Sequence, residues 1–427
     1  MNLYPEQAAG DARTLIALRS VLGEEAFADT EVSLIRAVGF VGNTIYVAAN
    51  GGLYSIDSGG SDTLLGAIAD SADTTISGNG GKVTIAAGGS YYVWDGSTLS
   101  SPSGGILTSI GAVEYIEQYT ILLEKDGRRF EWTDPADPET RNALYYTTAD
   151  GRNDKALRAV ADQRYLYIMK ERSIEIWYNT GVSGSGAFVR LAGGVIDQGL
   201  KSYKLVTRFD QGLFFIGDDG VAYILAGGQL QPVSTPPVNV DIEASAPVNV
   251  GYYEDRGHKF CVIRFSDRAA WVYDLTTLLW HRRATGQDAW DTYEIIAAWG
   301  DYYAFKNDGN VYRMVRSDAD VSGALTRRMV SKPLYMGGNK FSVAEFELLA
   351  RIGRSDLSRD AKAMLRVSWD GGNTWSQETE RSLGDLGDYS VRAVWRRLGR
   401  GVQFAVEVKV TDAADITLYS DANVRLA

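Results

Sequence analysis

Tyr165-Leu166-Tyr167-Ile168, a polar break through Lys170-Glu171-Arg172-Ser173, then Ile174-Glu175-Ile176-Trp177: two apolar, aromatic-bearing runs joined by a turn form the unit from which this chain is built. β-Branched and aromatic residues in runs of four to six, bounded by turn formers, read as a β-hairpin. The same theme recurs at Thr44-Ile45-Tyr46-Val47 with Leu53-Tyr54-Ser55-Ile56-Asp57, and at Val83-Thr84-Ile85 with Tyr92-Val93-Trp94-Asp95-Gly96. It returns at Tyr119-Thr120-Ile121-Leu122 with Phe130-Glu131-Trp132, and at Leu213-Phe214-Phe215-Ile216 with Val221-Ala222-Tyr223-Ile224. The last two pair Phe260-Cys261-Val262-Ile263 with Trp271-Val272-Tyr273-Asp274, and Tyr302-Tyr303-Ala304-Phe305 with Val311-Tyr312-Arg313-Met314. The units start roughly 40 residues apart, the length of a four-stranded blade. A lone hairpin is marginal in water, so such units must pack on one another, and closing them into a ring protects their edges. The reading is all-β: a β-propeller of six or seven blades over residues 31–325.

Outside that span the pattern changes. Residues 1–30 do not fit the repeat and are expected to form an N-terminal arm, with a short strand or helix at 14–22. Residues 326–427 carry longer alternating strands near 341–349, 363–369, 389–395, 404–410 and 416–418. They are expected to form a β-sandwich-like C-terminal domain. Within it, Ser368-Trp369-Asp370-Gly371-Gly372-Asn373-Thr374-Trp375 fits the Ser-x-Asp-x-Gly-x-Thr-Trp pattern of an Asp-box. Asp370 and Asn373 can bond backbone amides at the tip, and Gly371 and Gly372 can take positive φ. Trp375 is expected to lie back beneath the turn. Ser368, Asp370, Gly372, Thr374 and Trp375 are therefore structural turn residues, and the motif specifies a hairpin corner rather than a reaction.

Composition narrows the function classes. With 46 Gly, 24 Tyr and 10 Trp in 427 residues, the balance favours short strands and tight turns. The one cysteine, Cys261, excludes an internal disulfide and sits in an apolar run, where a thiol serves as a small core residue. The opening residues resemble no signal peptide, and no apolar run approaches the ~18 residues of a membrane span, so folding in a reducing cytoplasm and no membrane insertion are expected. Net charge is −11 and uneven: 16 Lys/Arg face 13 Asp/Glu from Thr326 onward, leaving 27 against 41 in the rest. An acidic body repels nucleic acid rather than gripping its phosphates.

Catalytic and metal signals are weak. His258 and His281 are the only histidines, and neither sits at metal-ligand spacing. Gly78-Asn79-Gly80-Gly81 lies between strands, not ahead of a helix, so it reads as a turn and not a phosphate cradle. The acidic loops at 134–137 and 318–320 lack calcium-loop spacing. No cofactor, metal or catalytic residue is assigned. Asp-boxes also occur in sialidases, whose propellers use three arginines, a Tyr–Glu pair and an Asp. A carbohydrate-active or glycan-binding propeller is therefore the alternative reading, although this chain has a single box outside the repeat and no Arg-Ile-Pro segment. The cluster Arg392, Trp395, Arg396, Arg397 and Arg400 has the arginine-plus-aromatic character of a subunit interface.

The opening Asn2-Leu3-Tyr4-Pro5-Glu6, the block Leu144-Tyr145-Tyr146 and Ile174-Glu175-Ile176-Trp177-Tyr178-Asn179-Thr180-Gly181 carry a family resemblance. So do Gly194-Val195-Ile196-Asp197-Gln198-Gly199, Gly257-His258-Lys259-Phe260 and Trp280-His281. The chain resembles the tail hub or nozzle proteins of short-tailed bacteriophages, the packaged-DNA stabilisation proteins. It departs from them near Val21-Leu22-Gly23, where a proline is missing. The resemblance implies a structural virion protein of the phage tail, without enzymatic activity, assembled in the host cytoplasm. Six copies would form a homo-oligomeric ring below the portal and adaptor proteins, with a tail needle, fibres or spikes as further partners. The ring would retain genomic dsDNA and later pass it through its channel without specific binding.

Overall fold

The computed structural model describes residues 1–7, 16–30, 32–286, 288–317, 319–320, 323–351, 353 and 360–426. Seven four-stranded antiparallel sheets form the propeller, which fixes the blade number at seven. Blade 1 runs Ile35–Val41, Thr44–Ala49, Gly52–Ile56 and Asp62–Ala67. Blade 2 is Thr75–Asn79, Lys82–Ala87, Ser90–Trp94 and Leu99–Ser100, and blade 3 is Ile110–Ile116, Tyr119–Glu124, Arg129–Asp134 and Asp137–Thr148. Blade 4 is Ala156–Asp162, Tyr165–Lys170, Ile174–Asn179 and Phe188–Ile196, and blade 5 is Val206–Phe209, Gly212–Ile216, Ala222–Ala226 and Gln229–Pro232. Blade 6 is Asn249–Asp255, His258–Arg264, Ala270–Asp274 and Leu279–Arg283.

The seven sequence hairpins are the second and third strands of the blades. Those strands are covered on both faces by neighbouring blades, so they read as continuous apolar runs: every residue of Gly212–Ile216 is buried. The first strands line the axis and meet around it, blade 7 closing against blade 1. Here backbones come close. A Cβ on Gly39 would lie 2.7 Å from the Ile76 side chain, and one on Gly78 2.6 Å from Val41, so adjacent first strands touch through glycine.

Blade 7 contains Thr292–Ala298, Asp301–Lys306 and Asn310–Val315, and its fourth strand is Gly23–Asp29 from the chain's start. Gly23 pairs with Val315 and Ala26 with Tyr312, so the ring is sealed by a strand nearly 300 residues away in sequence. Gly23 is required there, because a Cβ would lie 2.1 Å from the Ala319 carbonyl oxygen.

The C-terminal sandwich stacks two sheets. One orders Leu3–Gln7, Ile16–Ser20, Thr417–Leu426, Phe341–Arg351 and Ala393–Arg396, with Arg400–Gly401 on Phe341–Arg351. The other orders Arg327–Val330, Gln403–Val410, Lys362–Ser368 and Thr379–Ser382, with Leu334–Tyr335 on Gln403–Val410. Leu3, Phe346, Leu365, Trp395, Phe404 and Val408 fill the space between them.

The first 30 residues are thus not a separate arm. Two strands belong to the sandwich and one to the propeller, because backbone edges of both domains need partners. Within the region expected as a strand or helix, Ile16–Ser20 is a strand and residues 14–15 lie outside the described residues. The domains are joined through Asn2. Its amide nitrogen donates to Ala284 O (3.0 Å) and Thr326 O (2.8 Å), and its amide oxygen accepts from Ala284 N (2.9 Å).

Candidate functional site

The Asp-box closes the turn after Lys362–Ser368. Ser368 Oγ donates to Asp370 Oδ1 (2.7 Å), Thr374 N donates to the same oxygen (2.9 Å), and Thr374 Oγ1 donates to Oδ2 (2.6 Å). Gly372 N donates to Ser368 Oγ at 2.8 Å, with Gly371 and Gly372 at φ +76° and +100°. Hydrogen bonds from Thr374 and Ser368 hold the Asp370 carboxyl well below the usual carboxylate range. Asn373 acts differently from expectation: its side chain donates to Asp370 O rather than accepting from an amide. Trp375 also departs from it. The indole is half-buried against Gly372, with the Arg366 guanidinium 5.5 Å from its ring, and it does not enter the sandwich core.

The arginine cluster is divided by strand alternation. Arg392 forms a bidentate pair with Glu347 (2.6 and 2.8 Å), and Arg396 pairs with Glu345 (2.9 Å), both on the exposed face of the sheet. Arg392, with the Asn423 amide, pulls the Glu347 carboxyl down to about 2. Trp395 faces the other way. It is 1% exposed and donates from Nε1 to Thr379 O (2.9 Å), so this member of the cluster is a core residue and not part of an exposed interface. Arg397, at φ +58°, leaves the strand and is exposed, as is Arg400.

Neither histidine is placed for catalysis. His258 Nδ1 lies 2.7 Å from Asp274 Oδ2, and its ring stacks on Phe260. His281 is buried beneath Tyr4 without a hydrogen bond at either nitrogen. Burial, then the chain's amino terminus, Arg283 and His258, push its pKa far below the ordinary value. Cys261 is fully buried, and burial followed by Asp274 pushes its thiol up, the reverse of an activated nucleophile. Among the described residues no group of three or more His, Cys, Asp or Glu is placed to hold a metal ion. Of the acidic loop at 318–320, Asp318 lies outside the described residues.

A cavity of about 980 Å³ runs along the propeller axis, walled by the first strands of all seven blades. Three arginines line it, Arg36, Arg158 and Arg208, but they do not converge as a carboxylate clamp. Arg36 is committed to Asp70 (2.7 and 3.3 Å), and Arg208 donates to Ala161 O (3.0 Å). The Tyr–Glu pair in the cavity, Tyr252 with Glu254, comes from the middle and the end of its strand, beside Asp210, while Arg36 and Arg158 lie near the starts of theirs. Burial and Glu254 raise the Tyr252 hydroxyl, so it is no activated nucleophile. The axial charges were not foreseen from sequence. Their only signal is isolation in apolar first strands, as in Ala156-Leu157-Arg158-Ala159-Val160.

Comparison with known families decides the identity. The family described as bacteriophage P22 Gp10, beta-propeller, matches residues 16–308, and its beta-sandwich counterpart matches residues 326–426. The chain belongs to the bacteriophage P22 Gp10 family. It is a structural protein of the phage tail, the hub or nozzle protein of podoviruses that stabilises packaged DNA, and not an enzyme. Comparison with curated proteins gives no match. Solved propellers are similar to the Gp10-family chain at low identity. BamB from Moraxella catarrhalis is 13% identical, with 74% of this chain and 97% of that one covered at a TM-score of 0.44. Virginiamycin B lyase from Staphylococcus aureus is 11% identical, with 69% and 98% covered at 0.49. The N-terminal domain of Nup159 is 10% identical, with 69% and 94% covered at 0.42.

Proposed function

We propose that six copies of this chain form a ring below the portal and adaptor proteins of the virion, which holds the packaged genome and later serves as its exit channel. The observation that carries this reading is the match of both domains to the P22 Gp10 family, over residues 16–308 and 326–426. The division into a propeller over 31–325 and a sandwich over 326–427 is part of the proposal, with residues 1–30 contributing strands to both. Assembly takes place in the host cytoplasm, and a tail needle, fibres or spikes attach further out.

The DNA path runs between subunits, not through a propeller. A duplex is roughly 20 Å across, so the whole axial cavity of about 980 Å³ has only about the volume of one base pair. The acidic body, 41 Asp/Glu against 27 Lys/Arg before Thr326, suits a channel wall that DNA slides past without counterion exchange. The exposed Arg392–Glu347 and Arg396–Glu345 pairs, with Arg397 and Arg400, are the proposed subunit or adaptor contact.

The test is DNA retention in particles assembled without this protein. Heads that package DNA and then lose it fit the plug and channel. Heads that stay full yet fail to infect would place its action at adsorption or ejection instead.

A further inference from the structure

The charges lining the axial cavity are not all paired. Arg36, Arg158, Lys204 and Arg208 line it, as do Glu114, Asp210, Glu254 and Glu294. Arg36 is paired with Asp70 and Arg208 with Glu114, which leaves Arg158 and Lys204 facing Glu294. Arg158 is the centre of the group, with Glu114, Glu294, Arg208 and Tyr203 as its charged and polar surroundings. Among the described residues its guanidinium makes no hydrogen bond and no ion pair within 4 Å. A guanidinium presents five donors in a fixed fork, and leaving them without acceptors in a desolvated site is costly.

A second cation repeats the observation. Arg264 lies 5.4 Å from the Tyr293 ring, and its buried Nε and Nη1 have no partner. Lys204 reaches between blades to donate to Arg36 O (2.8 Å) and to the Tyr293 hydroxyl. The opposite mouth is different: Asp210, Glu254 and Lys259 are paired among themselves and with Tyr252. Arg158 and Lys204 thus stand apart from these paired charges, over apolar walls that include Ile76, Val160, Val206 and Ile295.

We propose that this end of the propeller axis is a binding site for a small molecule bearing an oxyanion, a carboxylate or a phosphate, received by Arg158 and Lys204. Arg158 offers the bidentate fork, and Lys204 a point charge on the neighbouring blade. The volume, about 980 Å³, lies at the upper end of the range for small-ligand pockets. The site is independent of ring formation, since every wall comes from one subunit.

The full chain is titrated calorimetrically, in buffer free of other oxyanions, with inorganic phosphate and separately with glucuronate. At least one should bind at one per chain and raise the melting temperature with concentration. Binding of phosphate alone assigns a phosphate ligand, and of glucuronate alone an acidic sugar. Arg158→Gln and Lys204→Met should each weaken that binding at least tenfold, whereas Arg152→Gln, exposed and outside the cavity, should bind as the parent does. Both cavity variants are first melted without anion to show that they fold. Absence of binding by the parent chain, or unchanged affinity in both folded variants, overturns the proposal.

Discussion

The carboxylate of Glu24 lies 2.9 Å from the ammonium of Lys306, and both side chains are almost wholly withdrawn from water. Glu24 comes from the sealing strand and Lys306 from the second strand of blade 7. Arg283 of blade 6 joins them at 3.3 Å, and Trp290 Nε1 donates to the same carboxylate at 2.9 Å. Closure of the ring is therefore an electrostatic event as well as a backbone one. Burial alone would raise the Glu24 carboxyl, but Arg283 and then Lys306 outweigh it and hold it low. Replacing Glu24 with Gln leaves buried Arg283 without its counter-charge and Lys306 with Asp291 alone, and should cost ~3–5 kcal/mol, read by denaturant unfolding. A depressed folded pKa means that the pair's stabilisation is present above the unfolded value near ~4.3 and is lost as pH falls below it. The acid limb of the parent's stability curve should flatten in Glu24→Gln. An unchanged midpoint and an unchanged acid limb would refute the closure role.

What the sequence disclosed follows from burial. The middle strands of each blade are apolar on both faces, so Phe214 and Phe215 announce themselves without alternation. The sealing strand Gly23–Asp29 carries Glu24 and Glu25 at its start, and its pattern gives no sign that one carboxylate faces a core. Its partner lies at the other end of the propeller, a relationship that local patterning does not encode. The Asp-box was legible because the side-chain hydrogen bonds of Ser368, Asp370, Asn373 and Thr374 fall within seven residues. The direction of Trp375 was not, since a tip residue can lie over or under its turn. Trp395 was misplaced by its arginine neighbours: alternation assigned it to the opposite face, and that face is the core. Arg158 and Glu294 are single charges in apolar strands, and only assembly of seven blades brings them together.

The two indoles of the sandwich should separate in stability. Trp395 is 1% exposed between the sheets, in contact with Phe346 at a ring distance of 6.1 Å. Trp395→Ala should cost ~3–5 kcal/mol by loss of burial and a residual cavity. Trp375→Ala removes a half-buried ring and should cost only about 1–2 kcal/mol. Equal losses in parallel unfolding curves would mean that the Asp-box tip carries more of the domain than its packing indicates.

The arginine face should matter to assembly and not to folding. Exposed pairs such as Arg396–Glu345 are worth roughly 0–1 kcal/mol, so Arg396→Glu combined with Arg397→Glu should leave the monomer's melting within a few degrees of the parent. The same change reverses the charge presented to a neighbouring subunit or adaptor, and incorporation into particles should fall severalfold. Normal incorporation, measured by quantitative gel analysis of purified particles, would remove this face from the interface.

His281 should give the fold a second acid sensitivity at milder pH. It is neutral in the folded chain, buried with no acceptor for an added proton, and its pKa is driven down by burial, the amino terminus, Arg283 and His258. The unfolded chain takes up a proton near pH ~6.5 while the folded chain does not, so protonation favours unfolding. The stabilisation from keeping the ring neutral is complete above that pH and declines as pH falls through it. His281→Phe keeps an aromatic against Tyr4 and Phe260 and removes the titration. Its stability should therefore be flatter than the parent's between pH 6.5 and 5. The Glu24 limb, which begins about two units lower, should persist. Parallel curves for parent and variant across that window would show that His281 titrates normally, and that the contact between the N-terminal strand and blade 6 opens readily to water.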